Sequence, residues 1–166
     1  MIWLSLLEKS IWFAFAALGF AILFNVPART LLATCLIAAT AGFTKFLCID
    51  YYGLNVIMAA FLGASVVGIL SIPAAHHKHT PPMIFSIPAV IPLIPGVFIY
   101  RTILGLIQLT DNKAMLTPNL VPGTFNYGLK ALFIIMGIAT GVGVPMLITR
   151  KESAKDIRIR KAKHTG

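Results

Sequence analysis

Five stretches of this chain are apolar over bilayer-scale lengths and almost free of charge: about residues 11–26, 30–49, 54–72, 83–109 and 125–149. Hydrocarbon offers no hydrogen-bonding partner, so a segment inside it must satisfy its own backbone polar groups, and an α-helix does so. A crossing takes roughly 17–25 residues; by that measure the first run is marginal and the fourth is long. Lys45 lies inside the second run, near its end, where a lysine can snorkel to the interface, so this run is kept as a span. Mean hydropathy is +0.87 and only 11% of residues are charged, against roughly 25% in soluble domains. The expected fold is therefore an all-α integral membrane protein, a bundle of about five transmembrane helices. Residues 1–149 form one polytopic domain and 150–166 a basic cytoplasmic tail.

The net charge of +9 is unevenly spread: seven of the fourteen Lys and Arg residues lie in the last seventeen positions. Basic residues beside an apolar segment orient it toward the cytoplasm and touch anionic headgroups. No aromatic side chains are interleaved with them, as nucleic-acid stacking would want, so the expected partner is the lipid bilayer and not nucleic acid. With the tail in the cytoplasm, five spans put the N-terminus outside. Arg29 and Lys78 then join the tail on one side, with Lys9, Lys45 and Lys113 on the other. Cys35 and Cys48, if on one helix, stand about 20 Å apart and cannot bridge.

Helix-spaced small residues mark four of the runs: Ala17, Ala21 and Asn25; Thr34, Ala38 and Gly42; Ala60, Ala64 and Gly68; Gly137 and Gly141. Such stripes let backbones approach where lipid gives no hydrophobic drive between helices. The fourth run is different. Its "SIPAVIPLIPGVFIY" carries Pro88, Pro92 and Pro95, followed by Gly96. In a continuous helix the three prolines share a face, and each leaves the carbonyl four residues earlier (Ile84, Pro88, Ile91) without its donor. Freed carbonyls at membrane depth are tolerated when buried in protein or lining a cavity, and transporters build sites from such interrupted helices. Gly96 is expected to permit the bend and a close approach of another segment. Tyr100 and Arg101 follow, either as an interfacial anchor or as a deep charge awaiting an anion. Asn25, Pro27 and Arg29 end the first run, either as a stop signal or as a ligand-facing group. "GVGVP" gives Gly141 a similar missing donor through Pro145.

Other chemistry is sparse. His76, His77 and His79 fall in a predicted loop with no neighbouring cysteine or carboxylate, so no metal site and no cofactor is expected there. All five acidic residues lie near predicted helix ends. No phosphate loop, serine–histidine pair or paired carboxylate supports an enzyme.

"FNVPARTL", "FLGASVVGIL", "IPAVIPLIPGVFIY" and "VPMLITRK" follow one another in an order that resembles the small, YjjB-like membrane component of the threonine/serine exporter (ThrE) family. The resemblance implies half of a two-component, proton-driven secondary exporter in the cell inner membrane. A larger ThrE-family membrane component would be its partner, homo-oligomers are compatible, and the substrate would be threonine and serine or a dicarboxylate such as succinate. By motif it carries over to Phe24, Asn25, Val26, Pro27 and Arg29, and to Pro92, Pro95, Gly96 and Tyr100. With Pro88 and Arg101 from the residue reading, these are the transport-path or substrate-binding candidates. The competing reading is a non-transporting membrane scaffold or assembly partner. The histidine segment and the basic tail are outside the resemblance.

Overall fold

The computed structural model describes residues 2–110 and 120–163, the last fourteen of these as backbone only. Described residues form helices joined by short turns: α1 (Ile2–Leu23), α2 (Ala28–Asp50), α3 (Val56–Lys78), α4 (Met83–Val90), a single 3-10 turn (Ile91–Leu93), α5 (Gly96–Thr110) and α6 (Leu120–Lys163). Four helices are long and apolar enough to span a bilayer, and α4 with α5 makes one broken span bent by 56°. The helical bundle and the broken fourth span thus agree with the sequence reading.

Several boundaries move. α1 begins nine residues before the expected run, and Lys9 within that extension is paired: its Nζ lies 2.6 Å from Asp50 Oδ2 at the end of α2. α2 runs unbroken through Lys45. α3 continues past Pro73, so His76 and His77 occupy its last turn instead of a loop, and His79 caps it in the left-handed region at φ 49°. α6 starts at Leu120, with Pro122 in the first turn, where a helix needs no backbone donor. Its backbone stays helical to Lys163, through most of the segment expected as a tail. The connection expected at 110–124 is therefore shorter, and its residues 111–119 lie outside the described residues.

Contacts between glycines and their neighbours fix the helix directions. Phe13 of α1 lies against Gly42 of α2, and Gly63 of α3 lies against the Ala41 carbonyl and Lys45, so these three helices alternate in direction. Gly137 of α6 meets Phe61, while Gly68 meets Val142 and Pro145, so α6 runs parallel to α3. α4 enters between α1, α2 and α3, and α5 emerges from them to pack chiefly on the first half of α6. The starts of α1, α3 and α6 therefore share one end of the bundle.

The α3–α6 crossing uses the small-residue stripes most fully. A Cβ at Gly141 would lie 2.8 Å from the Phe61 carbonyl and 3.0 Å from Ala64 Cβ. A Cβ at Gly68 would lie 3.0 Å from the Gly141 carbonyl, the one that Pro145 deprives of its donor. The freed oxygen thus rests against the partner backbone, in the manner of a Cα–H···O contact. The stripe on α1 stops earlier than expected. Ala17 and Ala21 are fully buried, but Asn25 lies beyond the helix and is exposed.

Replacing Gly141 by alanine forces backbone apart and should destabilise the solubilised protein by about 1–3 kcal/mol, the usual cost of overpacking. Gly143→Ala, which meets nothing within 4 Å, should change stability by less than about 0.5 kcal/mol. Thermal unfolding of the two variants side by side checks the contrast.

Candidate functional site: the broken helix and its surroundings

α4 is only eight residues long and packs one face on α1, α2 and α3, with Met83 and Ile87 exposed on the other. Phe85, Ala89 and Leu93 are fully buried, and Ser86 and Pro88 nearly so. So short a helix would be marginal alone; its stability comes from the three helices around it. Its start is built on two prolines that need donate nothing: Ile84 N donates to the Pro81 carbonyl, and Phe85 N and Ser86 N both donate to the Pro82 carbonyl, each at 3.1 Å.

Its end is set by Pro92 and Pro95. Pro88 and Pro92 supply no amide hydrogen to the Ile84 and Pro88 carbonyls. The Ile91 carbonyl, expected to be free as well, instead accepts from Ile94 N at 3.0 Å in the 3-10 turn. Ile94 then turns extended (ψ 134°), as a residue before proline prefers. The Pro95 carbonyl accepts from Phe98 N and Ile99 N, which starts α5. The bend is therefore made by Ile94 and Pro95. Gly96, expected to allow it, has no positive φ and no neighbour close to its Cα; it is the exposed first residue of α5. Because the helix is interrupted, the three prolines do not share one continuous face: Pro88 and Pro95 are buried and Pro92 is half-buried.

Hydroxyls gather beside α4. Thr30, Thr34 and Ser71 are fully buried, and Ser86 is nearly so. Leu93 Cδ2 lies 3.3 Å, and the Ala41 carbonyl 3.1 Å, from where a Gly63 Cβ would be. Moving about seven or eight residues along each helix from that common level covers about 10–12 Å. It brings Thr34 of α2, Ser71 of α3 and Ser86 of α4 to one height. Thr30, Thr34 and Ser71 each donate within their own helix, to the carbonyls of Pro27, Thr30 and Val67 at 2.7, 3.1 and 2.7 Å. Their oxygens keep lone pairs for a cationic guest.

Asn25, Pro27 and Arg29 stand at the end of the bundle where α4 begins. Asn25 is in the left-handed region at φ 54°, with its N bonded to the Ile22 carbonyl and Val26 N bonded to the Ala21 carbonyl. This is a Schellman closure of α1. Pro27 then caps α2, and its carbonyl takes both the amide and the hydroxyl of Thr30. "NVPART" is thus an interhelical corner. Arg29 is exposed in the first turn of α2, where a cation opposes the helix dipole; helix stability does not account for it. The α3–α4 corner repeats the closure, with His79 in the left-handed role and Thr80 N bonded to the Ala75 carbonyl. A cleft of about 450 Å³ opens beside it, lined by Ala75, His76, His79, Thr80, Pro81 and Pro82.

Tyr100 and Arg101 lie past the bend and away from this interior. Tyr100 is exposed, while Arg101 donates to the Tyr127 hydroxyl at 3.2 Å and stands 5.2 Å over its ring. The structure therefore places Pro88 near the level of the buried hydroxyls and Pro92 and Pro95 about 10–12 Å further along, at the level of Leu93. It sets Arg29 at one end of that column and leaves Arg101 on the other side of the bend. Sequence reasoning missed the hydroxyls, and the legible signal was their placement on the same faces as the small-residue stripes.

Residues 9–148 match the threonine/serine exporter family, ThrE. The chain belongs to that family. It is also similar to an uncharacterized protein of Haemophilus influenzae, 28% identical over 145 residues, which cover 87% of this chain and 48% of the relative. The chain thus spans about half the length of the curated relative it matches. No solved structure matches.

The corner chemistry can be separated from transport. Asn25→Gly should keep full stability, since glycine adopts φ 54° freely, whereas Asn25→Ala should lose about 1–2 kcal/mol. Thermal unfolding distinguishes them. Reduced efflux by a fully stable Asn25→Gly variant would assign the amide a further role.

Proposed function

We propose that this chain is the small half of a two-component exporter that moves small carboxylate metabolites, amino acids such as threonine and serine or dicarboxylates such as succinate, out through the cell inner membrane. The observation that carries the reading is the proline-broken α4, packed on three helices with the Ile84 and Pro88 carbonyls lacking their helical donors. The Pro88 carbonyl, near the C-terminal end of this half-helix, carries partial negative charge, and the Ile84 carbonyl in its first turn is a further acceptor. With the Thr34, Ser71 and Ser86 hydroxyls they suit a substrate ammonium group. Arg29 offers a planar donor fork for a carboxylate where α4 begins; Arg101, engaged by Tyr127, is the weaker candidate.

A cytoplasmic C-terminus follows from the basic residues clustered after Thr149 and puts Arg29 and the α3–α4 corner on the inner face. There they meet substrate before export. The interior around α4 is closely filled, so opening a path requires movement or a second surface. A relative about twice as long as this chain fits the reading that a larger component supplies that surface. None of the acidic residues among 2–110 and 120–149 lies in the middle of a span. On this reading the partner also provides the carboxylate that couples export to the proton gradient.

Efflux of labelled threonine, serine and succinate from cells bearing this chain, its partner, both or neither tests the proposal. Both together should export, and either alone should not. In the pair, Pro88→Ala with Pro92→Ala returns donors to the two carbonyls. Hydrogen bonds to charged groups are worth about 1.5–3 kcal/mol each, so efflux per assembled complex should fall about tenfold or more. Unchanged efflux per complex would mean that the break is architectural and the chain an assembly scaffold.

A further inference from the structure

Lys45 is a charge inside α2 that nothing above has used. It lies five residues before Asp50, the last residue of α2, about 7.5 Å from the helix end. A charged side chain within a span costs roughly 2.5–3.5 kcal/mol on insertion scales, so its position calls for a reason. Snorkelling to the interface would be the ordinary explanation. The geometry is otherwise. In a helix the Cα–Cβ bond leans toward the N-terminus, which for Lys45 is toward the membrane interior. Its ammonium stands 5.5 Å from the centre of the Phe13 ring and 5.7 Å from that of Phe46. Phe13 in turn lies against Gly42, almost a turn deeper in α2 than Lys45 itself. The charge is thus held at depth on aromatic faces, which solvate a cation without neutralising it.

The neighbouring carboxylate does not serve it. Asp50 is bonded to Lys9 at 2.6 Å, and this is the ion pair formed among the described residues. Lys45 also borders the break. Its Cβ lies 3.5 Å from the position of a Gly63 Cβ, the same point approached at 3.3 Å by Leu93 of the 3-10 turn. The base of the Lys45 side chain therefore borders the 3-10 turn that follows α4, while its ammonium rests on the Phe13 and Phe46 rings, the latter also 5.0 Å from the Lys9 ammonium.

We propose that Lys45 binds the carboxylate of the transported metabolite at the break. The inference rests on the exporter reading and adds a specificity-determining residue to it. Arg29 would attract the anion at the inner end, and Lys45 would receive it deeper in the bundle.

Inverted membrane vesicles containing this chain with its partner test the assignment, with labelled L-serine and succinate as substrates and L-serinamide, which lacks the carboxylate, as a competitor. Lys45→Gln should raise the KM for serine or succinate tenfold or more while leaving inhibition by serinamide unchanged. Lys45→Arg should stay within about threefold of wild type, and Lys9→Gln should match wild type. KM does not depend on how much complex assembles, so poor assembly does not mimic the effect. A wild-type KM in Lys45→Gln, or equal weakening of serine and serinamide, would overturn the role of Lys45 while leaving the exporter reading intact. Absence of transport by the wild-type pair would overturn that reading and this inference with it.

Discussion

The whole structure depends on where backbone polar groups find partners in a medium that offers none. Regular helices answer the question for nearly every described residue in the spans. Pro73, Pro88, Pro92 and Pro145 reopen it by withholding an amide hydrogen inside a helix. At Pro145 the freed Gly141 oxygen is laid on the backbone of α3 at Gly68. At Pro88 and Pro92 the freed oxygens belong to a half-helix packed on α1, α2 and α3. An unsatisfied carbonyl facing lipid would cost several kcal/mol; Pro73 is exposed near the end of α3, but the breaks at Pro145 and Pro88 lie on protein-facing surfaces. One is used for close contact between helices and the other sits where a polar guest could be held.

Small residues make that packing feasible. Lipid chains are as apolar as leucine, so helix association here relies on short-range contact. Gly42 admits Phe13, Gly63 lets α2, α3 and the 3-10 turn converge, and Gly68 and Gly141 bring α3 and α6 to backbone contact. The same convergence at Gly63 sets Lys45 beside the end of α4. Stripes that carry no functional information by themselves thus determine which polar groups meet.

The fold was legible because hydrophobic length and composition dominate it: the runs mapped onto helices, and the proline cluster onto the broken span. Boundaries were less so, for reasons that lie outside any single segment. Lys9 inside α1 is neutralised by Asp50, 41 positions away. Pro73 looked like a stop, yet α3 continues past it for more than a turn before closing at His79. Local patterns also misjudged the details of the break. The Ile91 carbonyl was counted as free because spacing assumed an α-helix, and a 3-10 turn gives it a donor one residue sooner. Gly96 looked like the hinge, but the residue preceding Pro95 supplies the extended backbone. Of the candidate site, the prolines were readable as a group. The hydroxyls and Lys45 were not, because their relevance comes from three helices meeting at one height.

An exporter of this family needs a polar route across the bilayer, and here the route is assigned to the interior beside α4 and not to the lipid-facing helix surfaces. Cysteine labelling in the assembled exporter tests that assignment most directly. The native Cys35 and Cys48 are free thiols and can be replaced by serine, leaving Ser86→Cys as the reporter and Tyr52→Cys as an exposed control. If α4 lines the route, a small charged thiol reagent will modify position 86 in the working complex, and added substrate will slow that reaction without affecting position 52. Position 86 remaining inert while the complex exports would contradict the account.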